Sequence, residues 1–200
     1  MHDQREAKWN KRYAESAAES PQPLEVLVDN AHLLPHGGVA LDLASGLGGS
    51  ALWLARRGFE TYAWDWSDVA IEKLRLSAAG LPLTAQIRDV EAQPPEAGRF
   101  DVICVGHFLQ RDLCTAIAAA LKPGGVLFYQ TFTQEKVDDS GPGNPDFRLA
   151  PNELLQLFSD LIVRYYRDEG TCGDIGAGFR NRAQLVAQQH FSEHCPGFRK

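Results

Sequence analysis

The stretch VALDLASGLGGSA, residues 39–51, decides the fold class of this chain. Its first five residues are apolar except for Asp42, which predicts a buried strand of a parallel sheet. A glycine-rich loop over 44–49 follows, and the pattern SALWLARRG over 50–58 predicts a helix. Strand, glycine loop and helix begin a nucleotide-binding βαβ unit, in which the missing side chains let the backbone approach a ligand closely.

A second strand-like run, residues 59–64, ends immediately before Asp65. In nucleotide-binding βαβ units, an acidic residue roughly 20 residues beyond the glycines binds the two ribose hydroxyls. Asp65 stands at about that spacing, although a turn residue or a helix N-cap is the alternative interpretation of the same carboxylate. The glycine loop and Asp65 together predict a ligand that carries a ribose.

The middle of the chain continues to alternate strand and helix patterns. Strands at 83–87, 100–105 and 126–132 are separated by helix patterns that include 109–121. The run FDVICV at 100–105 is apolar throughout, as is typical of a central strand with both faces buried. Alternation of this kind favours a doubly wound α/β fold.

The C-terminal third breaks the alternation. A long polar loop over 133–150 precedes a short helix at 151–157, and two strand patterns follow at 161–167 and 182–189. A hairpin added to a parallel sheet contributes at least one antiparallel strand. We therefore predict a doubly wound, seven-stranded, mostly parallel sheet with an antiparallel C-terminal hairpin and helices on both faces.

The N-terminal residues predict a separate helical layer. Helix patterns at 3–19 and 24–34 are divided by Pro21 and Pro23. We expect residues 1–35 to form an N-terminal helical cap over the active site, and residues 36–200 to form the ligand-binding domain.

Composition restricts the partners and the compartment. The net charge is −6 and the isoelectric point is about 5.5, which disfavours nucleic acid as a partner. The N-terminus is polar, and no apolar run approaches the ~20 residues needed to cross a bilayer, so we expect a cytoplasmic protein without a membrane partner. Cysteines lack Cys-x-x-Cys spacing and Pro35 interrupts the His32/His36 pair, so no metal is expected.

The acidic residue in the first strand distinguishes two classes of ligand. Gly46-x-Gly48-x-x-Ala51 formally satisfies the dinucleotide fingerprint, which keeps an NAD(P)-dependent reductase as an alternative. Asp42 disfavours it, because a carboxylate close to the loop repels a pyrophosphate. S-adenosylmethionine presents an amino acid head and a sulfonium cation there, and both suit an acidic strand end.

The ordered motifs VALDLASGLGG, AWDWS, IRDV, RFDVICVGHF and LKPGGVLFYQTF resemble the class I S-adenosylmethionine-dependent methyltransferases. The N-terminal WNKRY and the downstream GPGNPDFRLAPNELLQLF are similar to the small-molecule branch that holds tellurite-resistance (TehB-like) and thiopurine-like methyltransferases. The resemblance covers nearly the whole chain. It implies a Rossmann-like methyltransferase fold and S-adenosylmethionine as the cofactor.

The resemblance also implies a role for individual positions. Those expected to hold the methionine end of the cofactor are Asp42, Ala44, Ser45, Gly46 and Gly48. Those expected around the ribose and the adenine are Asp65, Trp66, Asp89 and Val90, and those expected beneath the sulfonium are Val105, Gly106 and His107. Core filling by Trp66 and loop capping by Asp89 are the alternative interpretations. The family usually has glycine where this chain has Ala44.

The acceptor is expected to be a small molecule that is soft or oxyanionic, such as a thiol or a chalcogen oxyanion. Gly106-His107-Phe108 is not the Asn/Asp-Pro-Pro-aromatic motif of enzymes that methylate the amines of nucleic acid bases. A hydroxyl or protonated amine acceptor needs a base, for which His107 is the candidate, although it could equally shape the pocket. The other candidates for lining the pocket are Tyr13, Arg12, Thr131, Arg148 and Arg180.

Two of these candidates carry further alternatives. Arg148 could fix an oxyanion through two parallel hydrogen bonds, or could be solvated surface. A non-catalytic protein that binds S-adenosylmethionine or S-adenosylhomocysteine remains open, as does the choice between monomer and homodimer.

Overall fold

The structure is a computed structural model that describes residues 2–15 and 21–191, with side chains from residue 9 onward. The helices are α1 (His2–Glu15), α2 (Glu25–Asp29), α3 (Gly49–Ala55), α4 (Asp68–Ser77), α5 (Cys114–Ala120) and α6 (Glu153–Leu157). The strands are β1 (Val39–Leu43), β2 (Glu60–Asp65), β3 (Leu83–Ile87), β4 (Phe100–Gly106), β5 (Leu121–Phe132), β6 (Ile162–Arg167) and β7 (Arg182–Gln188).

The strands form one sheet in the order β3-β2-β1-β4-β5-β7-β6. The first five in this order are mutually parallel, whereas β7 runs antiparallel to both β5 and β6. The structure therefore confirms the predicted seven-stranded, mostly parallel α/β fold with an antiparallel C-terminal hairpin.

Both faces of the central strand β4 are buried, as its uninterrupted apolar run predicts. Ile103 and Val105 pack on one face, in the cluster that includes apolar residues of α5 and α6. Val102 and Cys104 pack on the other face, against apolar residues of α2 and α3. Cys104 is fully buried, so it serves as a small apolar core residue.

Two predicted helices are shorter than expected. The predicted helix 24–34 consists of α2 and a 3₁₀ turn at 31–33, because the side-chain amide of Asn30 donates to the carbonyl of Val26 at 3.0 Å and the helix ends there. The predicted helix 109–121 likewise consists of a 3₁₀ turn at 111–113 followed by α5.

Strand β5 begins earlier than predicted and includes the Pro123-Gly124-Gly125 sequence that was expected to form a turn. Gly124 has a φ of 80°, and the pairing with β4 shifts register between Phe100 and Val102, so the strand bends here without ending. The predicted helix 3–19 runs past the described range at Glu15.

In the part of the chain that the structure describes, no helix has the length and apolar character to cross a membrane. The same residues contain no group of three or more His, Cys, Asp or Glu side chains that could hold a metal ion.

Candidate functional site

The site lies at the carboxyl end of the parallel strands, where β1 is flanked by β2 on one side and by β4 on the other. Open α/β sheets bind ligands at this edge, in the crevice where the strand order reverses. The residues that follow β1 and β4, Ala44 and His107, both have left-handed backbones, with φ of 56° and 54°. Such a conformation is costly for residues other than glycine, and two adjacent cases mark a site where backbone direction matters.

The glycine loop connects β1 to α3 through two further left-handed residues. Gly46 has a φ of 53°, and Gly48, which caps α3, has a φ of 75°. The N–H of Ser45 donates to the carbonyl of Trp64 at 2.9 Å, so the loop is held against β2. Glycine is required at these two positions because other L-residues rarely adopt this backbone conformation.

Asp42 is buried beneath this loop, with 4% of its surface exposed. Its carboxylate accepts a hydrogen bond from the N–H of Ala51 at 2.9 Å. Burial raises the pKa of Asp42 to about 8; the hydrogen bond from Ala51 opposes that rise and the charge of Asp65 adds to it. A cationic group placed beside this carboxylate would favour its ionised form.

Asp65 connects the end of β2 to the loop. It is 7% exposed, and its two oxygens accept from the N–H of Gly46 at 2.7 Å and from the N–H of Ser67 at 2.9 Å. Burial raises the pKa of Asp65, and these backbone donors limit the rise. The N-cap of α4 is Ser67, whose hydroxyl accepts from the N–H of Ala70 at 3.1 Å, so Asp65 is not that cap.

The N-terminal segment covers the glycine loop on its Asp65 side. A Cβ placed on Gly46 would lie 2.8 Å from the Tyr13 hydroxyl, so α1 approaches the loop closely. Lys73 on α4 donates to the carbonyl of Tyr13 at 2.5 Å and thereby anchors α1. Burial, and then the charge of Asp65, raise the pKa of Tyr13, so this phenol remains protonated.

A cavity of about 280 Å³ opens between the loop and the segment before α2. Its loop side includes Asp42, Ala44 and Ser45, and its opposite side includes Gly106 and His107. The hydroxyl oxygen of Ser45 is buried and has no hydrogen-bond partner among the described residues. A buried hydroxyl without a partner is costly unless a ligand supplies one, so the cavity fits the polar amino acid end of S-adenosylmethionine.

His107 forms the far wall of this cavity. Its ring lies 5.1 Å from that of Phe132, and its backbone N–H donates to the carbonyl of Gln130 at 2.8 Å. The residue reaches solvent, yet the surrounding walls desolvate its ring and, together with the charge of Arg182, lower the pKa of His107. The imidazole is therefore held in its neutral, proton-accepting form near neutrality.

Three polar residues complete the cavity, and the sequence analysis did not single them out: Glu25, Gln130 and Arg182. The amide oxygen of Gln130 accepts from the N–H of Val26 at 3.1 Å, which fixes α2 over β5. The available signal was a glutamine inside the apolar run VLFYQTF, because a buried polar side chain in a strand needs a partner.

The structure places Arg148 away from the cavity lining. It is 4% exposed, and its guanidinium donates to the carbonyls of Pro142 at 2.7 Å, Thr133 at 2.9 Å and Ser140 at 2.5 Å. All three nitrogens therefore hold the 133–150 loop together, and we assign Arg148 to that loop instead of to an oxyanion.

Other predicted positions also have local partners. One oxygen of Asp89 accepts from the N–H groups of Glu91 at 3.0 Å and Ala92 at 3.2 Å, so Asp89 caps a turn. Arg180 donates to the carbonyls of Ala177 and Asp174, both at 2.7 Å, and lines a second cavity. The predicted positions that are buried but absent from the lining of the first cavity are Val90, Val105 and Thr131.

Comparison with known proteins agrees with this geometry. Residues 40–125 match a family model described as a methyltransferase domain. An S-adenosylmethionine-dependent methyltransferase from Mesorhizobium loti is 16% identical, with a TM-score of 0.65 over 82% of this chain and 98% of that chain. TehB from Haemophilus influenzae is 22% identical, with a TM-score of 0.63 over 92% of this chain and 66% of that chain.

A further solved structure concerns the conversion of a disulfide bond into a thioacetal group during echinomycin biosynthesis. That protein is 20% identical, with a TM-score of 0.69 over 95% of this chain and 94% of that chain. No curated protein sequence matches the chain.

Proposed function

We propose that this chain, which carries a methyltransferase domain and uses S-adenosylmethionine, methylates a small acceptor that is soft or oxyanionic, such as a thiol or a chalcogen oxyanion. The observation that supports this proposal is the cavity that joins the glycine loop to His107, with the partnerless hydroxyl of Ser45 in its wall. The fold likeness to TehB is a reason to include chalcogen oxyanions among the acceptors.

On the cofactor side, Asp42 and Ser45 would hold the amino acid end, and Asp65 would bind the ribose hydroxyls. When bound, the cofactor supplies an electrophilic methyl group on a sulfonium. Asp42 supplies negative charge beside this cation, and the N–H groups of the glycine loop fix the loop against Asp65. Trp66, Asp89 and Val90 follow β2 and β3 at the same sheet edge, where we propose that they surround the adenine.

On the acceptor side, the chain's task is to place the nucleophile in line and to exclude water. Gln22 and Leu24 close the cavity from above: a Cβ on Gly49 would collide with the Gln22 carbonyl, and a Cβ on Gly106 would lie 2.5 Å from Leu24. A thiolate needs no further help, whereas a hydroxyl must lose a proton. The neutral imidazole of His107 would take that proton.

A methylation screen tests the proposal. Purified protein is incubated with S-adenosylmethionine and separately with small thiols, amines and chalcogen oxyanions, and release of S-adenosylhomocysteine is measured. We expect turnover with a thiol or a chalcogen oxyanion, and loss of that turnover in Ser45→Ala and Asp65→Asn together with weaker cofactor binding. Turnover confined to amines would contradict the proposed acceptor class.

Thermal-shift titration with S-adenosylhomocysteine and with NADH separates the alternatives. A ligand that prefers the native state raises the melting temperature. We expect S-adenosylhomocysteine alone to do so, and stabilisation by NADH instead would indicate a reductase. Tight binding of S-adenosylhomocysteine without turnover of any acceptor would indicate a non-catalytic binding protein.

A further inference from the structure

An ion pair stands at the end of the cavity away from the glycine loop. The Nη1 atom of Arg182, on β7, lies 3.0 Å from a carboxylate oxygen of Glu25, on α2. Both residues line the cavity that contains His107. The Glu25 side chain is 53% exposed and that of Arg182 is 28% exposed, so the pair is reached by solvent and by ligands.

Arg182 has donors to spare, unlike the other arginines near this end of the sheet. The guanidinium of Arg148 is used by three backbone carbonyls, and that of Arg111 by Glu153 and two carbonyls. Within the described residues, Arg182 pairs with Glu25 through one nitrogen, and its planar group lies 4.7 Å from the ring of Phe179. A guanidinium held by an aromatic face and a single carboxylate can still bind an oxyanion through its other N–H groups.

The position of Arg182 relates it to the reacting end of the cavity. Arg182 pairs across the sheet with Phe132, whose ring contacts His107. Arg182 also lines a second cavity of about 440 Å³, so it stands where the two cavities meet. A molecule whose reacting atom lies beside His107 would therefore place a neighbouring group against Arg182.

We propose that Arg182 binds a carboxylate or other oxyanion on the acceptor, separate from the atom that receives the methyl group, and that Glu25 competes with this group for the guanidinium. The inference rests on the proposed function and narrows the acceptor to a small nucleophile that carries an acidic group. Glu25 gives way because an exposed ion pair of this kind is weak, whereas a bidentate oxyanion gains two charged hydrogen bonds.

The two residues therefore make opposite predictions. Arg182→Gln removes the donors and abolishes any preference for an anionic acceptor. Glu25→Gln removes the competing carboxylate and its repulsion, so the preference increases. Arg164→Gln is the matched control, because Arg164 is an exposed arginine of β6 whose guanidinium bonds to Gln188 outside both cavities.

The experiment is calorimetry on protein saturated with S-adenosylhomocysteine, titrated with 3-mercaptopropionate and with its neutral amide. We expect the wild type and Arg164→Gln to bind the carboxylate about tenfold more tightly, the lower range for a hydrogen bond to a charged group. Arg182→Gln should bind the two thiols equally, and Glu25→Gln should raise the ratio several-fold. Unchanged affinity for S-adenosylhomocysteine shows that each variant is folded.

Equal affinity of the wild type for the two thiols, or a ratio that Arg182→Gln leaves unchanged, overturns the inference, as does failure of the carboxylate to bind. Glu25→Gln provides a second test if Arg182→Gln does not fold, because a ratio that stays the same or falls in Glu25→Gln also overturns it. Turnover of the same two thiols is measured separately. Preferential binding without methylation of either thiol would contradict the proposed function and leave the anion site in place.

Discussion

The carboxylate of Asp65 accepts a hydrogen bond from the backbone N–H of Gly46 at 2.7 Å, although the two residues are 19 positions apart. The residue proposed to bind the ribose therefore also holds the glycine loop in its left-handed conformation. Its other oxygen accepts from the N–H of Ser67, at the start of α4. Ligand binding and loop geometry are consequently coupled through one buried side chain.

Asp65→Asn tests this coupling. The amide retains one acceptor oxygen but presents an NH₂ group to one of the two backbone donors, so both the loop and the ribose contact weaken. We expect affinity for S-adenosylhomocysteine to fall by about 1.5–3 kcal/mol, measured by calorimetry. Asp160→Asn, at an exposed position after α6, is the control and should bind normally. Undiminished binding by Asp65→Asn would remove Asp65 from the site.

Asp42→Asn tests the buried carboxylate through pH. The pKa of Asp42 is raised from an ordinary 3.8 to about 8 in the folded protein, so the folded state binds a proton that the unfolded state has lost. The contribution of Asp42 to stability is thus complete below the unfolded pKa and is lost as pH rises through the folded pKa. The difference in unfolding free energy, wild type minus Asp42→Asn, should fall between about pH 5 and pH 8 in urea titrations without ligand. A difference that stays flat or rises over this range would show that Asp42 is ionised in the free protein.

His107→Asn separates a base from a pocket wall. Asparagine tolerates the left-handed backbone of residue 107 better than most residues, so the variant tests chemistry with little added strain. We expect turnover of a hydroxyl acceptor to fall by about 10²-fold or more, and turnover of a thiol by far less, because the thiolate needs no base. Affinity for S-adenosylhomocysteine should stay the same in both assays. An equal loss with both acceptors would assign His107 to the shape of the pocket.

Arg148→Gln tests the assignment of this arginine to the loop. Three backbone carbonyls lose a charged donor, so we expect the unfolding free energy to drop by about 2 kcal/mol or more. The exposed Arg164→Gln should change stability by less than about 0.5 kcal/mol in the same urea titrations. Cofactor affinity should be retained at temperatures where both variants are folded. A stable Arg148→Gln protein that lost acceptor binding would return Arg148 to the site.

The strand and loop pattern was predictable because its determinants are local. The apolar run of β4, the glycines at 46 and 48, and the acidic residue at 65 each report a periodicity or a backbone requirement that short-range sequence carries. The lengths of α2 and α5 were wrong, because side chains such as that of Asn30 end a helix without any change in apolar periodicity.

The sequence alone determined the sheet, the glycine loop and the acidic residues that point to S-adenosylmethionine, since these depend on neighbouring residues. Only the tertiary structure decided which polar side chains face the acceptor. Gln130 meets the N–H of Val26 across 104 residues of chain, and Arg182 meets Glu25 from the last strand of the sheet to its first covering helix. Arg148 and Arg182 are chemically identical, and only the packing of distant segments gives one to backbone carbonyls and leaves the other at the cavity.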